Sequence, residues 1–195
     1  MTNLNTPTSF VPGRLEQMST RVAFFIAGFG IAAWAPLVPY AKARAGLDEG
    51  TLGLLLLCLG VGSIIAMPLA GLLATRFGCR RVVSAGVLLI CAALPLLATV
   101  SSIPALIAAL FMFGAGLGTV DSTVNLQAVI VERASGKTMM SGFHGVFSLG
   151  GIVGAAGVSA LLGLGVSPLG ATLVVNVMLI VALLKAAPHL LPYGS

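Results

Sequence analysis

A carboxyl group lies inside a long apolar segment of this sequence, within residues 114–125 (GAGLGTVDSTVN). An ionisable side chain at bilayer depth costs about 2.5–3.5 kcal/mol on insertion scales and usually marks a functional site. Small and polar residues recur around it at intervals of four, three and four: Gly114, Gly118, Asp121 and Asn125. This spacing places them on one face of a helix, and that face is expected to meet another helix or a water-filled cavity rather than lipid.

The composition predicts an all-α membrane protein. Of the 195 residues, 58% are hydrophobic and 8% are charged, against about 25% charged residues in ordinary soluble domains. A spanning helix needs about 20 apolar residues, and six segments meet or approach that length: 22–40, 52–74, 82–100, 104–131, 141–163 and 169–185. We expect six transmembrane helices in one bundle over residues 21–187. Residues 1–20 are then an N-terminal tail, and residues 188–195 a C-terminal tail or the start of a linker.

The distribution of Lys and Arg predicts how the bundle is oriented. Only Lys42 and Arg44 fall on one side of the predicted bundle. The remaining cations fall on the other: Arg14, Arg21, Arg76, Arg80, Arg81, Arg133, Lys137 and Lys185. Because cytoplasmic loops are enriched in Lys and Arg, both termini are expected in the cytoplasm. The membrane is expected to be a bacterial-type inner membrane. The net charge of +5 is spread over short loops, so no nucleic-acid partner is expected.

Neither a metal nor a cofactor is predicted. The chain has three cysteines, Cys58, Cys79 and Cys91, whose spacing fits no metal site. They are expected to be small buried residues.

Residues 71–81, GLLATRFGCRR, resemble the signature loop between the second and third helices of the major facilitator superfamily, G-x-L-A-D-R-x-G-R-K. The residues that match the pattern are Gly71, Leu73, Ala74, Arg76, Gly78 and Arg80. The resemblance implies a gating role for Gly71, Arg76, Gly78 and Arg80. Thr75 replaces the Asp of the pattern, so the charge network that the Asp supports in the family is altered here.

Two further segments are similar to fucose-permease-like proton symporters. In residues 116–125, Gly-Leu-Gly precedes an acidic residue, and Asn follows four positions later. Residues 140–151, MSGFHGVFSLGG, are similar to the fifth helix of the same group. This resemblance implies a role in proton coupling for Asp121. The acidic residue that those permeases use in their first helix is missing from residues 22–40, and the motifs of drug antiporters are missing from the fourth and fifth helices.

A second polar face lies on the fifth predicted span, with Ser141, His144, Ser148, Gly151 and Ala155 at intervals of three, four, three and four. Together with the Asp121 face it could line a groove. Asp121 has no basic partner within a span, so we expect it to be neutral when occluded and charged when a water path opens. His144 could relay protons. The alternatives are a helix-packing hydrogen bond for Asp121 and a structural role for His144.

Four residues are candidates for binding a sugar or polyol: Asn125, Ser148, Asn176 and Trp34. The amides could donate hydrogen bonds to hydroxyl groups, and the indole could stack on a sugar ring. The competing interpretations are hydrogen bonds between helices for the two Asn residues and an anchor at the membrane interface for Trp34.

The sequence therefore predicts a secondary active transporter, or its N-terminal half, that is coupled to protons and moves a small polar solute. The superfamily usually has two six-helix bundles, which implies a second bundle from a longer chain or from a homodimer. The alternative is a membrane scaffold or half-transporter remnant that does not transport. A membrane enzyme has the least support, since no catalytic motif is present.

Overall fold

The computed structural model describes residues 12–195, which form helices and short connections without a strand. The first span consists of α1 (Arg14–Ala33) and α2 (Val38–Ala45), joined by a 3-10 turn at Ala35–Leu37. The others are α3 (Glu49–Phe77), α4 (Cys79–Thr99), α5 (Ile103–Ser135), α6 (Met140–Gly163) and α7 (Pro168–Ala186). Six helices in the described residues are long and apolar enough to cross a membrane, which confirms the predicted fold class.

The helices extend beyond the apolar segments at several ends. The helix α1 begins at Arg14, so residues 14–20 of the predicted tail are helical, while residues 1–11 of that tail lie outside the described part of the chain. Glu16 stabilises this first turn by accepting a hydrogen bond from the Gly13 amide at 2.6 Å. Hydropathy does not detect such polar turns, because it reports only apolar residues. The end of a helix depends instead on hydrogen-bond partners for its terminal amides and carbonyls.

The first span is interrupted by a 3-10 turn between Trp34 and Val38 and then continues past its predicted end at Tyr40. Pro36 and Pro39 lack amide hydrogens, which interrupts the regular helical hydrogen bonds there. Arg44 consequently lies on a helix rather than in a loop. Its guanidinium donates to the main-chain oxygens of Leu97 at 2.7 Å and Val100 at 3.0 Å, and so caps the end of α4.

The predicted signature loop is wrong in its extent, because most of residues 71–81 are helical. Gly71 and Arg76 belong to α3, Arg80 belongs to the first turn of α4, and Gly78 is the only residue between the two helices. Gly78 has φ +85°, a conformation that side chains disfavour, and this allows one residue to reverse the chain.

Two groups of glycines let neighbouring helices approach each other closely. Gly62, Gly114 and Gly118 lie where α3 meets α5, and Gly28, Gly150 and Gly154 lie where α1 meets α6. At each of these six positions a Cβ atom would overlap main-chain atoms of the facing helix. Small residues permit such backbone contacts between membrane helices. Gly157, also on α6, has open space around it and takes no part in these contacts.

The α5–α6 connection is held by a carboxylate near the end of α5. Glu132 Oε2 accepts hydrogen bonds from the amides of Met139 at 2.6 Å and Met140 at 2.7 Å. It therefore caps the start of α6.

We call the side of the bundle where α1 begins and α7 ends the terminal side; the α3–α4 and α5–α6 connections lie there as well. The least buried spans are α3 and α6.

Candidate functional site

Asp121 lines a cavity of about 190 Å³ between four spans, which we call the Asp121 cavity. Its walls come from α1, α3, α5 and α6: Ala27, Ile31, Ser63, Met67, Leu117, Asp121 and Phe147. The walls are largely apolar, with one carboxyl and one hydroxyl group among them. A cavity of this kind fixes a polar ligand mainly through those two groups.

The close contact of α5 with α3 sets the position of Asp121. Gly114 faces the Leu59 carbonyl and Gly118 faces Ser63, both without room for a Cβ atom. One turn later, Ser122 Oγ donates to the Met67 main-chain oxygen at 3.3 Å. The face predicted from the sequence is therefore divided: its glycines meet another helix, and the carboxyl faces the cavity.

The Asp121 side chain is half-buried and makes no hydrogen bond or ion pair with any residue between 12 and 195. The ion pair in this part of the chain joins Lys42 to Glu49, on the opposite side of the bundle from the termini. His144 interacts with Asp121 electrostatically. A carboxyl group in an apolar setting without a fixed partner remains available to bind a proton or a cationic or hydroxylated ligand.

His144 and Ser148 lie on the exposed face of α6. The imidazole packs edge-on against Phe24, with 5.3 Å between ring centroids. Ser148 Oγ donates to the His144 main-chain oxygen at 3.1 Å, so its hydroxyl proton is used within the helix. The structure therefore brings His144 into the electrostatic range of Asp121 and leaves Ser148 outside the cavity lining.

The other predicted binding residues make contacts within the bundle. Asn125 Nδ2 donates to the Asp121 main-chain oxygen at 2.9 Å, and Asn176 Nδ2 donates to the Cys91 main-chain oxygen at 2.7 Å, which links α7 to α4. Trp34 is 5% exposed and packs edge-on against Phe113. The Trp34 indole nitrogen and Asn176 Oδ1 are both buried, with no partner in the described residues. None of these three lines the Asp121 cavity.

Sequence reasoning did not identify the residues that complete the cavity. Ser63, Met67 and Phe147 belong to spans far from Asp121 in sequence, and only Ser63 carries a polar signal. Its position in an apolar span, between Gly62 and two Ile residues, is the one feature that could have indicated a helix contact there.

The signature residues lie outside the cavity, on the terminal side. The Arg76 guanidinium lies 5.1 Å from the centre of the Phe77 ring, and Arg76 is exposed. The Arg80 guanidinium, by contrast, donates two hydrogen bonds to main-chain oxygens of residues 188 and 190. The two arginines of the pattern thus have different environments.

Comparison with known families agrees with this architecture. The family model described as Major Facilitator Superfamily matches residues 22–193. The chain belongs to the major facilitator superfamily. The six apolar helices and this membership make it a multi-pass membrane protein.

Three bacterial proteins are similar to the chain. An uncharacterized MFS-type transporter of Yersinia pestis is 57% identical over 180 residues, which is 92% of this chain and 47% of that protein. The uncharacterized transporter y4wD of Sinorhizobium fredii is 35% identical over 69% of this chain and 36% of its own length. Membrane protein MosC of Rhizobium meliloti is 33% identical over 73% of this chain and 35% of its own length. The chain spans about half the length of the first of these relatives.

Proposed function

We propose that this chain is one six-helix half of a secondary active transporter that is coupled to protons and moves a small polar solute such as a sugar. The observation that carries the proposal is the Asp121 carboxyl, which lines a cavity formed by four spans and has no hydrogen bond or ion pair among residues 12–195. Such a carboxyl can bind a proton when occluded and release it when water enters, which is the chemistry that coupling needs. His144, close to Asp121, is the candidate relay.

The dimensions of the cavity support a site completed by a second bundle. Small-molecule sites usually enclose about 300–1,000 Å³, whereas the Asp121 cavity has about 190 Å³. The flanking helices, α3 and α6, are also the least buried spans. We propose that a second six-helix bundle covers them, supplied either by the rest of a longer chain or by a homodimer. The surrounding lipid is an inner membrane, with both termini in the cytoplasm.

The experiment is solute accumulation in liposomes containing the purified chain, driven by an inward proton gradient. A panel of radiolabelled hexoses, deoxyhexoses and polyols is the probe. We expect at least one of them to accumulate, and Asp121→Asn to reduce accumulation by about 100-fold or more, as expected for loss of the coupling group. Asp48→Asn, at an exposed carboxyl outside the cavity, is the matched control and leaves uptake unchanged. Accumulation that persists in Asp121→Asn contradicts the proposal.

The mass of the particle in nanodiscs tests the second bundle separately. A dimer with uptake supports the homodimer. A strict monomer without uptake requires the second bundle to come from a longer chain, and joining this chain to the C-terminal half of the Yersinia pestis relative is then expected to restore uptake.

A further inference from the structure

Residues 188–194, expected to be a tail or the start of a linker, are packed against the terminal side of the bundle, and we call them the C-terminal strap. They continue from the 3-10 turn Ala187–His189 that ends the last span. Leu190 and Leu191 are fully buried within the hydrophobic core. A chain segment with two buried leucines and defined hydrogen bonds is part of the fold rather than a solvated end.

Arg80 binds the C-terminal strap through its side chain and its main chain. The guanidinium donates from Nε to the Leu190 oxygen at 3.1 Å and from Nη2 to the Pro188 oxygen at 2.5 Å. The Arg80 amide donates to the Leu191 oxygen at 2.9 Å. The preceding amide, of Cys79, donates to the Tyr193 oxygen at 3.3 Å. The strap therefore caps the start of α4, which has no capping side chain, while Arg80 satisfies carbonyls at the end of the last span.

Gln127 connects the C-terminal strap to two more helices. Its buried side chain accepts a hydrogen bond from the Leu191 amide at 3.1 Å and donates to Thr20 Oγ1 at 2.9 Å. Beside it, Ser19 Oγ donates to the His189 oxygen at 2.8 Å. These bonds join the strap to α5 and α1, and each buried polar group involved has a partner.

The glycines at this contact leave no space for a side chain. A Cβ atom on Gly78 would overlap the Pro192 carbonyl, and one on Gly194 would overlap the Ala74 carbonyl. The α3–α4 connection and the C-terminal strap therefore touch backbone to backbone, which fixes their relative position.

We propose that the C-terminal strap is a clamp that holds the terminal-side ends of α1, α3, α4 and α5 together, with Arg80 and Gln127 as its anchoring residues. Arg80 acts as the link between the signature turn and the end of the last span, not as a free cation on the surface. The clamp does not depend on the proposed transport activity, since none of its hydrogen bonds involves a residue that lines the Asp121 cavity.

The test is hydrogen exchange of the Leu190 and Leu191 amides in the full chain in nanodiscs, read by mass spectrometry. We expect both amides to exchange at least about 100-fold more slowly than in a free peptide of residues 186–195. Arg80→Gln and Gln127→Leu are each expected to accelerate their exchange by about tenfold or more. The matched control is Arg81→Gln, an exposed neighbour on the same helix, which is expected to change it by less than about twofold.

Two results would overturn the clamp: parent amides that exchange as fast as the free peptide, or equal acceleration by Arg80→Gln and Arg81→Gln. Amides in α6 report on the general fold. If Arg80→Gln exposes those as well, Arg80→Lys decides the question, because it keeps the charge and loses the guanidinium fork. Faster exchange confined to the strap in Arg80→Lys supports the clamp, and unchanged exchange contradicts it.

Discussion

Two of the regions where polar side chains enter the apolar bundle differ in how their hydrogen bonds are satisfied. Around the C-terminal strap, Gln127, Thr20 and Arg80 all have partners at 2.5–3.1 Å. In the Asp121 cavity, the carboxyl has no hydrogen bond to any of the described residues. A satisfied group is costly to separate from its partners, so it stabilises one arrangement. An unsatisfied carboxyl can exchange a proton or a ligand, so it suits a function that requires change.

The largest expected effect comes from disturbing the wall of the cavity itself. A Cβ atom at Gly150 would overlap the Phe25 carbonyl and separate α6 from α1, moving Phe147 away from the cavity. We expect Gly150→Ala to lower the free energy of unfolding by about 2 kcal/mol or more. Gly157→Ala, on the same helix with open space around it, is the matched control and should change stability by less than about 0.5 kcal/mol. Unfolding in detergent micelles measures both, and equal losses would contradict the packing assigned to Gly150.

The next largest effect on stability is expected around the C-terminal strap, where the polar side chains have hydrogen-bond partners. Gln127→Leu removes the acceptor of the Leu191 amide and the donor to Thr20, and leaves a buried amide unpaired. We expect a loss of about 1–2 kcal/mol in the free energy of unfolding. Gln17→Leu is the control, because the Gln17 side chain makes no hydrogen bond within residues 12–195. If the Gln127 variant is as stable as the Gln17 variant, the hydrogen bonds of Gln127 do not stabilise the fold, and the contrast with the Asp121 cavity is lost.

Asp48 is an exposed carboxylate that accepts hydrogen bonds, and its contribution to the stability of the fold is expected to depend on pH. It accepts hydrogen bonds from the Thr51 amide at 2.9 Å and the Thr51 hydroxyl at 2.8 Å, which hold the pKa of Asp48 below its ordinary value. Because the folded-state pKa is depressed, the stabilisation is present above the ordinary Asp pKa of about 3.9 and is lost as the pH falls through the folded-state value. The stability difference between the parent and Asp48→Ala should therefore shrink on acidification. A difference that stays constant with pH would contradict this assignment.

The smallest expected effect on the free energy of unfolding is at Asp121. The carboxyl makes no hydrogen bond or ion pair within the described residues, so replacing it by an amide of the same shape should change the free energy of unfolding by less than about 0.5 kcal/mol. Unfolding of Asp121→Asn and Gln127→Leu under the same conditions sharpens the comparison. A large loss for Asp121→Asn would mean that the carboxyl has a structural role.

The sequence predicts the six spans well because each apolar segment is long enough to cross a bilayer. It misplaces their ends where capping groups extend the helices, as Glu16 does for α1. It also predicts that Asp121 lies within a long apolar helix, and the residue does lie within α5. The partners of that carboxyl depend on how helices face each other, which is set by backbone contacts such as that of Gly114 with Leu59.

The C-terminal strap is the part of the structure that is least predictable from the sequence. Leu190 and Leu191 are two apolar residues in a short stretch between Pro188 and Pro192, and no periodic pattern marks them as buried. Gln127 is a polar residue in an apolar span, but nothing in the sequence indicates that its partners are Thr20 and Leu191. Both belong to contacts between residues more than 60 positions apart, with a separation of 64 between Leu191 and Gln127. Hydropathy and short motifs do not report on such contacts.

Infrared difference spectroscopy of the chain in nanodiscs tests most directly whether Asp121 binds and releases a proton, as we propose. The parent should show a carboxyl band that changes with pH, and this band should disappear in Asp121→Asn and persist in Asp48→Asn. Identical pH-dependent difference spectra for the parent and Asp121→Asn would contradict the account.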